Sequence, residues 1–291
     1  MKYQYLIIVV ILFSFILKNK KKKETKVCLC SIGKNENSYL NEFITHYKKL
    51  GYNHIFIYDN NDINGERMDS IVNNSDFISI INYRGYRNKK DNSQYEAYYD
   101  CYNNNNRKYD WLSFFDFDEF LEILPEGQTI QKFLENERYE KCQDIKINWL
   151  LYSSEKEVIY YEKKPLSLRF KKKLLDRGEN ILIKSTVRGG LVKNYWSRWE
   201  NSHTSIDTFK SCSSSGRKVS GKTAFINPPD YKFAFIKHYQ TKSFEEYCLR
   251  LKRGWPDSTN KTMYITNLLN DNKNSKKKLS IIKRILNITF F

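Results

Sequence analysis

The stretch WLSFFDFDEFL, residues 111–121, runs from an apolar segment straight into a group of acidic side chains. Residues 111–115 are apolar apart from one serine, which indicates a buried strand. Asp116 and Asp118 follow, and side chains two positions apart in an extended segment face the same way. The two carboxylates can therefore meet a single cation at the end of this strand.

Short strand-like and helix-like segments alternate on either side of this stretch. The alternation predicts an α/β fold with a mostly parallel central sheet flanked by helices. Ligands of such sheets bind beyond the carboxyl ends of the strands, so residues 31–36, 59–61 and 116–119 are expected along one edge. The predicted strands are residues 27–32, 54–58, 77–81, 111–115 and 145–151. The predicted helices are residues 39–50 (ended by Gly51), 66–72, 94–104, 244–253 and 275–286.

The paired acids suit a divalent cation that carries phosphate. Mg²⁺ and Mn²⁺ take oxygen ligands and leave coordination positions for phosphate oxygens. The alternative is that Asp116 and Asp118 form only an acidic cap, but the strongly apolar strand before them favours a metal site for Mn²⁺ or Mg²⁺. His238, in the strand-like run 234–239, is the candidate third ligand, with a structural role equally open, and His203 is a second choice.

Basic and polar side chains elsewhere are candidates for binding the phosphate-bearing ligand. Arg250 and Arg253 are three residues apart on one predicted helix face, and with Lys242 they could hold a diphosphate; the alternative is a solvated basic face. Gln94 is a candidate residue for lining the pocket of that ligand. The alternative is that it packs in the protein interior without a binding role.

Two further residues have open roles. Glu119 lies next to the predicted metal site and is the nominal catalytic base, and capping of the element that follows is the alternative. Trp149 could stack on an acceptor sugar or pack in the core.

The composition limits the classes of partner. The chain has 291 residues and a formal net charge of +17, which suits an anionic partner such as a nucleotide diphosphate or a lipid headgroup. An aromatic content of 15% argues against a disordered chain. No Arg-rich motif or RNP-like aromatic pattern is present, so nucleic acid is not a predicted partner.

The first residues read as a membrane signal. Residues 6–17 are uncharged and apolar apart from one serine, and a Lys-rich run follows without a small-residue cleavage site. We predict a single-pass signal-anchor at residues 1–17 in an ER/Golgi-type secretory membrane, and a Lys-rich stem at 18–26; a cleaved signal is the alternative. The positive-inside rule keeps the lysines cytosolic. Sequons at Asn73, Asn260 and Asn287 instead fit a body in the lumen. The sequence therefore leaves open on which side of the membrane the body of the protein lies.

The six cysteines do not form a metal motif. Their spacings do not suit zinc, and their even number permits disulfides without showing them. Cys28 and Cys30 alternate within a predicted strand, so we expect both on one face as small core residues.

Four stretches, taken in order, resemble glycosyltransferase family 92 and the related family 2 glycosyltransferases. Together they span residues 27–254, most of the chain, and their order and spacing make the match specific. After Trp149 the Gly that the family often has is absent, which leaves the acceptor open. The stretches are SIGKNE (31–36) with the helix after it, HIFIYDN (54–60), WLSFFDFDEFL (111–121) and HYQTKSFEE (238–246) with Arg250, Arg253 and Gly254.

This resemblance implies a GT-A fold for residues 27–258, followed by a basic helical extension at 259–291. It implies inverting transfer of a hexose from a nucleotide-sugar, with galactose from a UDP-sugar favoured, to a glycan or glycolipid acceptor, usually with manganese. The alternatives are a membrane-tethered, non-catalytic binder of anionic glycan or lipid on the same fold, and a nucleotidyltransferase of similar architecture.

The resemblance also assigns roles to residues by position. Asp116 and Asp118 match the metal-binding pair, and His238 matches a downstream metal ligand. Asp59 matches the acidic residue that touches the base or ribose. The donor-facing turn of the family is matched by Lys34, Asn35 and Glu36.

Overall fold

Residues 24–85, 93–154, 158–191, 210–253 and 275–286 are described by a computed structural model. The strands are β1 (Val27–Gly33), β2 (His54–Asp59), β3 (Ile78–Asn82), β4 (Trp111–Phe114), β5 (Glu119–Ile123), β6 (Asp144–Ser153), β7 (Lys172–Lys173), β8 (Ile183–Arg188), β9 (Ser211–Ser213), β10 (Lys218–Val219) and β11 (Ala234–His238). The helices are α1 (Leu40–Lys49), α2 (Ser93–Asn105), α3 (Ile130–Leu134), α4 (Leu166–Arg169), α5 (Phe244–Arg253) and α6 (Ser275–Leu286). Short 3-10 turns occur at Asn37–Tyr39, Met68–Ser70, Glu137–Tyr139 and Gly178–Ile181.

Several predictions lie outside the described residues. They concern the apolar anchor at 1–17 and most of the Lys-rich stem, His203, and the sequons at Asn260 and Asn287. Within the described ranges, no helix has the length and apolar character needed to cross a bilayer.

The central sheet has the strand order β10-β9-β6-β8-β4-β1-β2-β3. The part built from the N-terminal half of the chain is parallel, since β1 pairs with β2 and β4, and β2 with β3. Strand β8 is antiparallel to both β4 and β6, so the sheet is mixed and not mostly parallel as predicted. The reason is that parallel pairing needs a crossover, usually a helix. The described part of the connection between β6 and β8 holds the four-residue helix α4, the two-residue strand β7 and a 3-10 turn, and no helix long enough for such a crossover.

The predicted elements of the first half are present within one or two residues of their expected bounds. Helix α1 ends before Gly51, whose φ of +89° is a left-handed conformation that glycine adopts without a steric penalty. The helix predicted near residues 66–72 is only the 3-10 turn Met68–Ser70.

The two faces of the sheet carry separate hydrophobic clusters. Leu29 of β1 belongs to the cluster under α1. Cys28 and Cys30 belong to the cluster under α2, which confirms that they share a face. A disulfide joins Cys30 to Cys101 of α2, and thereby fixes that helix against the centre of the sheet.

The basic C-terminal helix α6 packs against α5. Its Ile281 and Ile282 are buried with Phe244 and Cys248 in a third cluster, and Arg284 forms an ion pair with Glu245. The predicted extension therefore contributes to the packing of α5, the helix that carries part of the site.

Candidate active site

The carboxyl ends of the parallel strands meet at one edge of the sheet. Gly33 of β1 is in register with Asp59 of β2, which is in register with Asn82 of β3. The N–H of Phe115 donates to the carbonyl of Cys30 (3.3 Å), so the acidic turn after β4 begins beside them. The predicted alignment of three loops along one edge is therefore confirmed.

The acidic turn is held by hydrogen bonds between its two ends and by the packing of Phe117. The N–H of Glu119 donates to the Asp116 carbonyl (3.0 Å), and the N–H of Asp116 donates to Oε2 of Glu119 (2.9 Å). Phe117 is buried against Gly33, where an added Cβ would lie 2.4 Å from the Phe117 ring. A rigid aromatic anchor therefore separates Asp116 from Asp118.

Asp116 accepts hydrogen bonds at both carboxylate oxygens. Gln94 Nε2 (2.7 Å) and the Tyr98 hydroxyl (3.1 Å) donate to Oδ1 from successive turns of α2. Lys184 Nζ donates to Oδ2 from β8 (2.8 Å). Gln94 is thus a partner of Asp116 and does not line the cleft described below, and its role in binding a donor stays a prediction.

A buried cation lies between two acids beneath the turn. Lys184 is fully buried, and its Nζ is 3.5 Å from Oε2 of Glu119. Burial on its own would lower the pKa of Lys184, but the carboxylates of Asp116 and Glu119 raise it above its ordinary value. Burial raises the pKa of Glu119 well above its usual range; Lys184 opposes this effect and Asp116 adds to it. Lys184 therefore faces both Asp116 and Glu119.

Asp118 lies on the other side of the anchor, among cationic and imidazole groups. Its Oδ2 is 3.2 Å from Lys242 Nζ and 3.8 Å from Arg250 NH1, and its Oδ1 is 3.6 Å from His238 Nε2. Burial would raise the pKa of Asp118, but Lys242, His238 and Arg250 hold it well below its usual range. Asp118 is therefore an ionised carboxylate in a buried position.

His238 is the imidazole that the sequence predicted near the acidic pair. It is buried at the end of β11, and its ring centroid is 4.1 Å from that of Trp149. Burial lowers its pKa, and Asp118 opposes this effect only in part, so the ring is neutral at physiological pH. Its Nδ1 is buried without a hydrogen-bond partner among the described residues. Trp149 is itself buried in the core, which matches the packing interpretation.

The described residues contain no group of three acid, histidine or cysteine side chains placed to hold a metal ion. Asp118 and His238 come together, whereas Asp116 is engaged by Lys184 and α2. The metal role of these residues therefore stays a prediction.

A cleft of about 630 Å³ opens next to Asp118. Neither Asp116 nor Asp118 lines it; it reaches the acidic pair through Lys242 and Arg250, which contact Asp118 from the cleft wall. The donor-binding candidates that line it are Lys34, Asn35, Glu36, Lys242 and Arg250. One set of sequence-predicted residues thus lines the cleft, and another lies around Asp116. Asp118 lies between the two sets and contacts Lys242 and Arg250 of the cleft.

Lys242 stands at the junction of the cleft and the acidic pair. Its Nζ is 3.6 Å from Oε2 of Glu36 and 4.5 Å from the centroid of the Tyr39 ring, in addition to the contact with Asp118. Its φ is +53°, in the left-handed region that a non-glycine residue adopts only where its surroundings enforce it. The backbone therefore places this cation where the cleft meets Asp118.

Asp59 shapes the donor-side loops from a buried position. Its Oδ1 accepts from the Asn61 side chain (2.7 Å), and its Oδ2 accepts from the Met68 N–H (3.0 Å). Asn61 in turn accepts from the N–H of Asn35 (2.7 Å), which has a φ of +57°. Asp59 thus supports the turn that carries Lys34, and its contact with a base or ribose stays a prediction.

Glu246, which lines the cleft, belongs to an ion pair that the sequence did not reveal. Both Glu246 oxygens accept from the Arg169 guanidinium (2.7 and 2.8 Å), and the Tyr39 and Ser243 hydroxyls also donate to Glu246. Burial would raise the pKa of Glu246, but these bonds hold it at about 2. Arg169 is remote in sequence, so no local signal indicated the pair.

Two other outcomes concern single residues. Lys184 was not a sequence candidate, because a single lysine in a strand-like run carries no indication of its partner. Arg253 ends α5, and its side chain lies outside the described residues.

Comparison with known proteins finds similar sequences in one family. The sequence profile of glycosyltransferase family 92 matches residues 23–278. A glycosyltransferase family 92 protein of Oryza sativa subsp. japonica is 32% identical over 110 residues, which cover 38% of this chain and 18% of that protein. A family 92 protein of Ricinus communis is 33% identical over 98 residues, which cover 33% of this chain and 16% of that protein. The matched segments thus span less than a fifth of either relative.

Proposed function

Because the chain belongs to glycosyltransferase family 92, we propose that it transfers a sugar from a nucleotide-sugar to a glycan or glycolipid acceptor on a GT-A type of fold. A hexose from a UDP-sugar is the proposed donor, with galactose favoured and inversion at the anomeric carbon. The observation that carries the proposal is the 3.2 Å contact between Lys242 and Asp118, because it joins the acidic pair to the cleft.

The cleft supplies the charges that a nucleotide diphosphate requires. Lys34, Lys242 and Arg250 line it beside the loops at the carboxyl edge of the sheet. Hydrogen bonds from charged donors to phosphate oxygens are among the strongest in proteins. We assign Lys242 and Arg250 to the diphosphate, with Lys34–Glu36 facing the donor.

The residues around Asp118 fit a divalent cation. Carboxylate oxygens and a neutral imidazole form a donor set that Mn²⁺ accepts, and the 3.6 Å separation of His238 Nε2 from Asp118 Oδ1 is too long for a good hydrogen bond. We propose that Asp118 and His238, together with Asp116, hold Mn²⁺ or Mg²⁺. Such a cation, when bound, neutralises the diphosphate and stabilises it as a leaving group.

The residues beneath the turn orient Asp116. Lys184 compensates its charge, while Gln94 and Tyr98 fix Oδ1 by two hydrogen bonds. Preorganised groups of this kind keep a site in its productive geometry without reorganisation during the reaction. We therefore propose that these residues position Asp116 for the donor complex.

The catalytic base is a separate question. An inverting transferase needs a carboxylate within hydrogen-bond reach of the acceptor hydroxyl. Glu119 stays the nominal base, but its carboxyl is fully buried and closes the acidic turn. This geometry favours a positioning role for Glu119.

We further propose that the apolar N-terminal segment attaches the protein to a secretory membrane of the ER/Golgi type. The support is the uncharged run at residues 6–17 followed by lysines.

The direct test is a donor screen with the full chain in detergent. We expect release of UDP from one UDP-sugar in the presence of Mn²⁺, loss of this release in chelator, and transfer when the matching acceptor is supplied. Release of pyrophosphate would instead indicate a nucleotidyltransferase. Binding of anionic glycan or lipid without turnover of any donor would contradict the enzymatic proposal.

A further inference from the structure

The loop before β3 carries a sequon that the candidate active site does not use. Asn73, Asn74 and Ser75 are all exposed in this loop. The side chain of Asn74 accepts from the N–H of Ile80 (2.6 Å), and the N–H of Ser75 donates to the carbonyl of Ile78 (2.9 Å). These bonds fix the loop on the surface with the acceptor asparagine and the hydroxyl residue of the sequon both exposed, so the folded protein can accommodate a glycan on Asn73.

The disulfides give an independent indication of the compartment. Cys30 is bonded to Cys101 and Cys142 to Cys212, in loops with sequence separations of 71 and 70 residues. Structural disulfides form and persist in oxidising compartments and are rare in the cytosol. Two such bonds, one of them between the central strand β1 and helix α2, indicate that this body folds in the secretory lumen.

The position of the sequon in the fold is compatible with a bulky modification. Strand β3 runs from Ile78 to Asn82, and Asn82 is in register with Asp59 at the edge of the candidate active site. Asn73 precedes the opposite end of that strand. The strand spans roughly 13 Å at about 3.3 Å per residue, and none of Asn73, Asn74 and Ser75 lines the cleft.

We propose that Asn73 is an N-glycosylation site on a body that faces the secretory lumen. The co-substrate is an oligosaccharide linked to a lipid diphosphate. Nδ2 of Asn73 forms a bond to C1 of the first sugar, the bond from C1 to the diphosphate oxygen breaks, and the lipid diphosphate leaves with the electron pair while one amide proton is lost. This modification is independent of any transfer reaction at the acidic pair.

The experiment uses the full chain, tagged at its C-terminus, in a eukaryotic secretory host. Asn260→Gln and Asn287→Gln are introduced together, so that Asn73 is the remaining sequon. We expect a mobility shift of one glycan on enzymatic deglycosylation. The shift is lost in Asn73→Gln and in Ser75→Ala, and it is retained in Ser75→Thr, which keeps the sequon.

Peptide mapping under non-reducing conditions gives the second readout on the wild-type chain. We expect a glycan on the peptide that contains Asn73, together with a cross-linked peptide pair containing Cys30 and Cys101. An unmodified Asn73 in the wild-type protein overturns the proposal, whatever the other two sequons carry. Because glycan transfer precedes completed folding, total-cell samples give the same readout for a variant that folds poorly.

Discussion

The Nζ atom of Lys184 lies 2.8 Å from Oδ2 of Asp116, although the Lys184 side chain is fully buried and comes from a strand remote in sequence. The same Nζ is 3.5 Å from Glu119. One buried cation thus compensates two acids of a turn that the sequence alone presents as a group of like charges. The acidic turn is therefore stable before any donor or cation binds.

Lys184→Met is expected to destabilise the protein. The change leaves Asp116 without its buried counter-ion, and breaking a buried pair costs about 3–5 kcal/mol. Since the Asp116 side chain is 33% exposed, we expect a cost below this range, about 2–3 kcal/mol after solvent screening. The measurement is the free energy of unfolding in urea, with the exposed Lys172→Met as control. Equal stability of the two variants would show that the buried pair contributes little.

Lys242→Met is expected to weaken donor binding while the fold remains intact. Hydrogen bonds to charged groups contribute about 1.5–3 kcal/mol, which corresponds to a loss of roughly 10- to 150-fold in UDP affinity. Isothermal titration with UDP measures it, and Lys232→Met, exposed and outside the cleft lining, is the matched control. Unchanged affinity in Lys242→Met would remove Lys242 from the donor site.

The close approach of Gly33 to Phe117 predicts a coupled pair. In Gly33→Ala the new Cβ would lie 2.4 Å from the Phe117 ring, and overpacking of this kind typically costs about 1–3 kcal/mol. In a Phe117→Leu background the same alanine meets a smaller side chain, so we expect its cost to fall. A double-mutant cycle of unfolding free energies measures the coupling. Strict additivity of the two changes would contradict the predicted contact.

The buried pair of Glu246 and Arg169 predicts a loss of stability in acid. The pKa of Glu246 is depressed from its ordinary 4.5 to about 2 in the folded protein, so its contribution is present above pH 4.5 and is lost as the pH falls toward 2. At 1.36 kcal/mol per unit the full contribution is about 3 kcal/mol, of which about 2 kcal/mol is lost by pH 3.

The matching measurement compares urea unfolding at pH 6 and pH 3. Because Glu246→Gln lacks the titrating group, we expect its stability to fall by about 2 kcal/mol less than that of the wild type over this interval. The exposed Glu126→Gln serves as control and should follow the wild type. A wild-type pH dependence in Glu246→Gln would refute the assigned pKa shift.

The sequence predicted the parts of this protein that local patterns determine. Apolar runs and glycine positions gave β1, β2, β4 and α1, and the strand-end rule brought Asp59 and Asp116 to one edge. These features depend on residues that are neighbours in the chain or on the shared direction of parallel strands.

The remainder depends on contacts between distant segments. Lys184 reaches Asp116 only because β8 is antiparallel to β4, and an antiparallel insertion has no local signature in a chain that begins with strand–helix alternation. The pair of Arg169 and Glu246 similarly links two short segments far apart in sequence. The disulfide partner of Cys30 was open for the same reason, since spacing does not determine pairing.

We propose Asp118 as the carboxylate that would link a divalent cation to the donor cleft. The most direct measurement is manganese-dependent UDP release by Asp118→Asn in the full chain, beside wild type and the exposed control Asp76→Asn. We predict that Asp118→Asn keeps its circular dichroism spectrum but loses Mn²⁺ binding and UDP release, whereas Asp76→Asn retains both. Wild-type turnover with undiminished manganese dependence in Asp118→Asn would contradict the central claim.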